Sequence, residues 1–258
     1  MRHLRILLVL IFCVPIYGAK DFNGSNDAVN IGTLGTFGSG RGTGYSVSFW
    51  MRTTTSASTV YPIGMVENAG TTTQWFGFEI NNPNATYNNI RIVERDNTST
   101  ALWLIAYPSS AVTFKDGRWH HFAYTVNPPV NVIKFWIDGV SVPVTNQLAE
   151  TGATWANYTD PVYVGARDNQ GIADQFADID MEDLRIYSTI LTADQVTSLY
   201  AGDNIVTNLV IHHTFRDPSN TQFIDRAGGA FIGNCTNCPD TLNDGPPNIY
   251  TPPMLVYQ

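Results

Sequence analysis

Residues 177–202 read ADIDMEDLRIYSTILTADQVTSLYAG, and this stretch decides the fold of the chain. Its first part, through Tyr187, is an acidic strand, and its second part is a short helix. Thr192 stands as N-cap, and Gln195 three residues on completes a capping box. Val196 and Leu199 lie three apart on one helical face, and Gly202 takes the place of a C′ glycine. No other stretch of the 258 residues carries a comparable helix signal.

Outward from this stretch the chain reads as strands and turns. Residues 45–52, YSVSFWMR, alternate with period two, which puts Tyr45, Val47, Phe49 and Met51 on one face and Trp50 on the other. Asp138-Gly139 sits between two apolar runs and reads as a two-residue hairpin turn, and Asp116-Gly117 feeds a strand beginning near Trp119. Short strands recur with turn residues between them, the pattern of an all-β, two-sheet sandwich. No tandem repeat is evident, so one domain is the economical reading.

Several blocks together resemble the laminin G-like and pentraxin-like domains of the concanavalin A-like lectin/glucanase jelly-roll superfamily. Glu182 to Tyr187 followed by residues 191–202 is similar to that group's closing strand and helix. Asp21-Phe22-Asn23-Gly24, Trp119-His120-His121, Phe135-Trp136-Ile137-Asp138-Gly139 and residues 161–166 match its other signatures in order. The resemblance implies a concanavalin A-like two-sheet antiparallel jelly-roll sandwich over residues 19–234 with one short helix. Residues 208–215 and 225–233 resemble the segment with which such domains usually open. Here they come last, which implies a circularly permuted order. The strand at 208–215 is therefore expected to pair near Asp183–Tyr187, in its own chain or in a neighbouring copy, because a sandwich without it would have open edges.

Residues 1–5 are basic, 6–16 are apolar, and Gly18-Ala19 supplies small residues, together a secretory signal peptide spanning 1–18. About 240 residues then remain, enough for one large β domain. The net charge of −8 and a charged fraction of 14% argue against a nucleic-acid partner and suit an extracellular surface. Cys235 and Cys238, spaced C-x-x-C in a loop, read as a structural disulfide followed by an extended, proline-rich tail over 235–258. Its apolar end, residues 254–257, could dock on a partner. Asn23, Asn84, Asn97, Asn157 and Asn234 head glycosylation sequons.

Three kinds of chemistry are candidates. Asp178, Asp180 and Glu182 alternate along one strand and so share a face, as the carboxylate pair of a glycoside hydrolase would. The flanking residues instead resemble the noncatalytic group, and the reading taken here is that the chain is not an enzyme. The resemblance also implies a calcium ion as cofactor, with Asp27, Glu182 and Asp183 as its ligands. Sugar binding needs aromatic platforms outside the core, for which Trp75, Trp103, Trp155 and Tyr87 stand on strand flanks or loops. His120-His121 and His212-His213 are adjacent in strands, point to opposite faces and cannot chelate one ion as pairs. The expected function is a secreted or cell-surface module that binds a glycan or matrix polymer. The alternative is a structural subunit of a fibre or coat, self-associating by strand exchange.

Overall fold

A computed structural model describes residues 18–34, 43–66, 75–83, 90–95, 103–148, 160–169, 171–217, 221–228, 231–235, 237–242 and 244–247. In chain order the strands are β1 (Lys20–Asn23), β2 (Val29–Thr33), β3 (Tyr45–Arg52), β4 (Val60–Val66), β5 (Trp75–Ile80), β6 (Arg91–Arg95) and β7 (Trp103–Pro108). They continue with β8 (His120–Asn127), β9 (Val132–Ile137), β10 (Val140–Val142), β11 (Val144–Leu148), β12 (Pro161–Val164), β13 (Arg167–Asn169), β14 (Ile172–Asp174) and β15 (Asp178–Tyr187). The helix α1 (Ala193–Tyr200) precedes β16 (Leu209–His213), β17 (Gln222–Phe223), β18 (Gly233–Cys235) and β19 (Asp240–Thr241).

The strands form two sheets. The first runs β10-β9-β8-β3-β15-β1-β19, with β16 also on β15, and the second runs β11-β7-β6-β5-β4-β12-β2-β18-β17, with β13 on β4 and β14 on β13. Pairing is antiparallel except between β13 and β4. Alternating side chains from both sheets meet in one core. At its centre Phe49 and Phe122 of the first sheet and Phe78 of the second sit with ring centroids 5.2–5.5 Å apart. The Asp138-Gly139 turn has positive φ at both residues, 52° and 74°, which is the mirror-image turn that fits the strand twist.

The helix has the ends its sequence calls for. Thr192 Oγ1 accepts from Gln195 N at 3.2 Å, and Gln195 Oε1 accepts from Thr192 N at 2.9 Å. Gly202 has φ +97°, and its N–H and that of Asp203 donate to the carbonyls of Leu199 and Ser198, a Schellman closure. Val196 and Leu199 pack with Ala123, Trp136, Tyr187 and Leu191 on the outer face of the first sheet. Trp50 lies on that face as well, stacked on Tyr200 with centroids 5.7 Å apart. Trp119 is half-buried with the Arg52 guanidinium 5.1 Å from its ring.

β15 is the longest strand and carries a bulge: Glu182 is opposite Trp50 of β3, but Arg185 is opposite Ser48, so the register gains a residue at Asp183, whose φ is +53°. Its other edge is shared. β1 pairs with residues 178–181 and β16 with residues 184–187. The segment 208–215 therefore completes the sheet in its own chain. Beyond β16, the Asp225 carboxylate accepts from His212 N and Arg226 N donates to the His212 carbonyl, which closes that edge. Beyond residue 234, β19 pairs with β1 and Leu242 bonds back to Gly18 and Ala19. The apolar residues 254–257 lie outside the described residues.

Two predictions follow from this packing. Ile211→Ala, which hollows the core under β16, should cost roughly 2–5 kcal/mol in chemical denaturation. His121 and His213 are buried, and burial pulls both imidazoles down to about 4 from 6.5. The unfolded chain takes up these protons near pH 6.5 and the folded chain only near 4, so stability should fall as pH drops through that window, and His213→Leu should flatten the slope.

Candidate functional site

The acidic row of β15 lies on the outer face of the first sheet. Asp180 bonds Arg52 of β3 at 2.5 Å, and Arg52 also reaches Asp244 at 2.9 Å. Glu182 is fully buried and takes the Arg216 guanidinium on Oε1, while Oε2 has no hydrogen-bond partner among the described residues. Burial pushes its carboxyl up to about 7, against the pull of Arg216. Asp178 is the exposed member of the three. A depression of about 270 Å³ lies against Arg52, Asp178 and Asp180.

The three carboxylates expected to bind calcium do not converge. Asp27 accepts from Asn23 N at 3.1 Å in the β1–β2 turn. Asp183 accepts from His212 Nε2 at 2.7 Å and Arg185 Nε at 3.1 Å. Burial opposes its ionisation, yet these two partners outweigh it and hold the carboxyl below its usual range. Among the described residues no three His, Cys, Asp or Glu side chains are grouped to hold a metal ion. The donor set does not fit one ion, because the three carboxylates do not converge and Asp183 is taken by Arg185 and His212.

Of the aromatic candidates, Trp75 is half-buried at the start of β5, with the Arg91 guanidinium 4.7 Å from its ring. Backbone register sets Trp75, Arg95 and Trp103 in one cross-strand row. Trp155 and Tyr87 lie outside the described residues.

A different place has the shape of a ligand site. Asn234 of β18, Asn30 of β2 and Tyr163 of β12 are direct cross-strand neighbours on the outer face of the second sheet. They floor a cavity of about 380 Å³, a volume within the range of small-molecule sites. Asn26 in the β1–β2 turn, Phe176 after β14 and Asn237 beside the Cys235–Cys238 disulfide wall it in. Asn30 Nδ2 donates to the Tyr163 hydroxyl at 3.4 Å, and Asn30 Oδ1 accepts from Gly32 N at 2.8 Å. Burial holds the Tyr163 phenol above its ordinary value, so it stays neutral. None of the described residues that line the cavity is charged. Sequence reading missed it because its asparagines stand in turns and sequons. The available signal was Asn30, a polar residue between Val29 and Ile31 that alternation turns outward.

These features can be set beside known proteins. A putative carbohydrate binding protein from Bacteroides ovatus has a similar fold, with a TM-score of 0.55 and 14% identity. The alignment covers 90% of this chain, which spans 61% of that protein's length. A heptameric SAP-like pentraxin from Limulus polyphemus aligns at 15% identity and TM-score 0.49 over 88% of this chain and 99% of its own. Domains LG4-5 of the mouse laminin alpha1 chain align at 15% identity and TM-score 0.45, covering 75% of this chain and 48% of theirs. No curated protein matches the chain. Residues 23–197 match a laminin G family model described as the concanavalin A-like lectin/glucanases superfamily, from the end of β1 into α1. The chain belongs to that laminin G family of the concanavalin A-like superfamily.

Proposed function

We propose that the chain is a secreted, noncatalytic module that binds a neutral glycan in the cavity floored by Asn30, Tyr163 and Asn234. The uncharged lining carries this reading. Each asparagine amide both donates and accepts, matching the alternating hydroxyls of a sugar. Phe176 and Tyr163 offer apolar ring surface to the C–H face of a pyranose. A charged ligand would find no counter-ion there. The disulfide on the rim suits an oxidising compartment outside the cytoplasm. The family and the Bacteroides ovatus protein's description as carbohydrate binding point the same way. No step of this reading draws on a metal ion.

A glycan array followed by titration calorimetry tests it. Neutral oligosaccharides should bind, and Tyr163→Ala and Asn234→Ala should each weaken binding about tenfold, the loss of roughly one hydrogen bond or ring contact, with little change in melting temperature. A mature chain that ignores every neutral glycan, or variants that bind as well as the parent, would overturn the assignment. EDTA should leave the affinity unchanged.

A further inference from the structure

The outer face of the first sheet holds a buried carboxylate with one oxygen left over, and the chain crosses it at a particular place. Residues 240–242 and Asp244 run beside β1 as a strap, followed by Gly245. Gly18 N donates to the Leu242 carbonyl at 2.9 Å, Leu242 N to the Ala19 carbonyl at 2.9 Å, and Ala19 N to the Asp244 carbonyl at 3.4 Å. Gly18 and Ala19 are both buried. On the other side of β1, Lys20 is opposite Met181 and Asp21 opposite Asp180. One position further, antiparallel register brings Ala19 level with Glu182. Alternation turns Ala19 to the outer face with Asp21, the side on which Asp180 and Glu182 lie.

The strap then passes directly over Glu182. A Cβ built on Gly245 would stand 2.6 Å from Glu182 Oε2 and 3.6 Å from its carboxyl carbon. Asp244, whose carbonyl takes the Ala19 N–H, and Gly245, which covers Oε2, are consecutive residues. The nitrogen of Ala19 and the free oxygen of Glu182 are thus each met by one of two consecutive strap residues. Arg216 neutralises Oε1 alone. A buried carboxylate with one unmet oxygen is an expensive group, and a second cation beside it would relieve the cost.

We infer that the chain is processed between Gly18 and Ala19 and that the new α-ammonium of Ala19 pairs with Glu182 Oε2 beneath the strap. The step is a hydrolysis by a peptidase that takes small residues. One water is consumed, its hydroxyl goes to the Gly18 carbonyl carbon, and the Ala19 nitrogen leaves as an amine that is protonated at neutral pH. Cleavage precedes closure, because the folded chain buries both residues. The donation from Ala19 N to Asp244 survives it, and the two further N–H bonds of the ammonium become available to Glu182. This inference rests on the export proposed above and not on glycan binding.

The test uses the chain from Ala19 onward, made with a free α-amine and, separately, with Ala19 acetylated, which removes only the charge. The free form should melt higher by roughly 5 °C at pH 7, and Glu182→Gln should abolish the difference. Equal melting temperatures, or a difference that persists in Glu182→Gln, would overturn the pairing. Should Glu182→Gln not fold, the α-amine of the parent reports directly: a paired amine titrates above the ordinary range of about 7.7–8.0 and resists acylation, whereas ordinary titration and fast acylation refute it. The N-terminus of exported protein, read by mass spectrometry, should be Ala19, and any other start refutes the cleavage point even if glycan binding holds.

Discussion

The molecule depends on one strand having three partners. β15 pairs with β3 along one edge and divides the other between β1 and β16, strands separated by nearly the whole sequence. Two strands laid end to end need a place to meet, and the bulge at Asp183 supplies it. The bulge turns Asp183 out of regular alternation, so its carboxylate joins that of Glu182 at the junction. Each is answered by a side chain from the arriving segments, Arg216 after β16 and His212 within it. The outer face of the first sheet is then sealed on one side by α1 and on the other by the strap from β19 to Gly245.

Much of this was readable in the residues. The capping box of Thr192 and Gln195, the Asp138-Gly139 turn and the alternation of residues 45–52 are local signals, and local geometry obeys them. The return of 208–215 to the sheet was readable because an apolar strand has to find an edge. The burial of Glu182 was not, since it depends on Arg216 and Gly245, distant residues whose roles exist only once the strap is laid down. The same physics hid the cavity. Its floor is made of cross-strand neighbours from β2, β12 and β18, and no spacing in a linear sequence expresses that adjacency.

The calcium expectation rested on residue type and resemblance alone. Asp27, Glu182 and Asp183 are acids at places where the sequence resemblance implied metal ligands. A hard cation needs several oxygens converging with free lone pairs. Here Glu182 Oε1 faces the Arg216 guanidinium, Asp183 Oδ1 faces His212 and Arg185, and Asp27 serves its own turn. The acids do structural work, holding the seam where two distant strands abut.

The seam also bears on how the protein is made. β1 (Lys20–Asn23) leaves the ribosome well before the neighbours that shield its free edge and fill the rest of β15, which appear only after residue 208. Until then the growing sandwich exposes unsatisfied backbone along its middle. Vectorial synthesis therefore leaves the nascent chain adhesive for most of its emergence, and a chaperone holding it in an unfolded state until about residue 245 has appeared would spare it from joining the wrong neighbour.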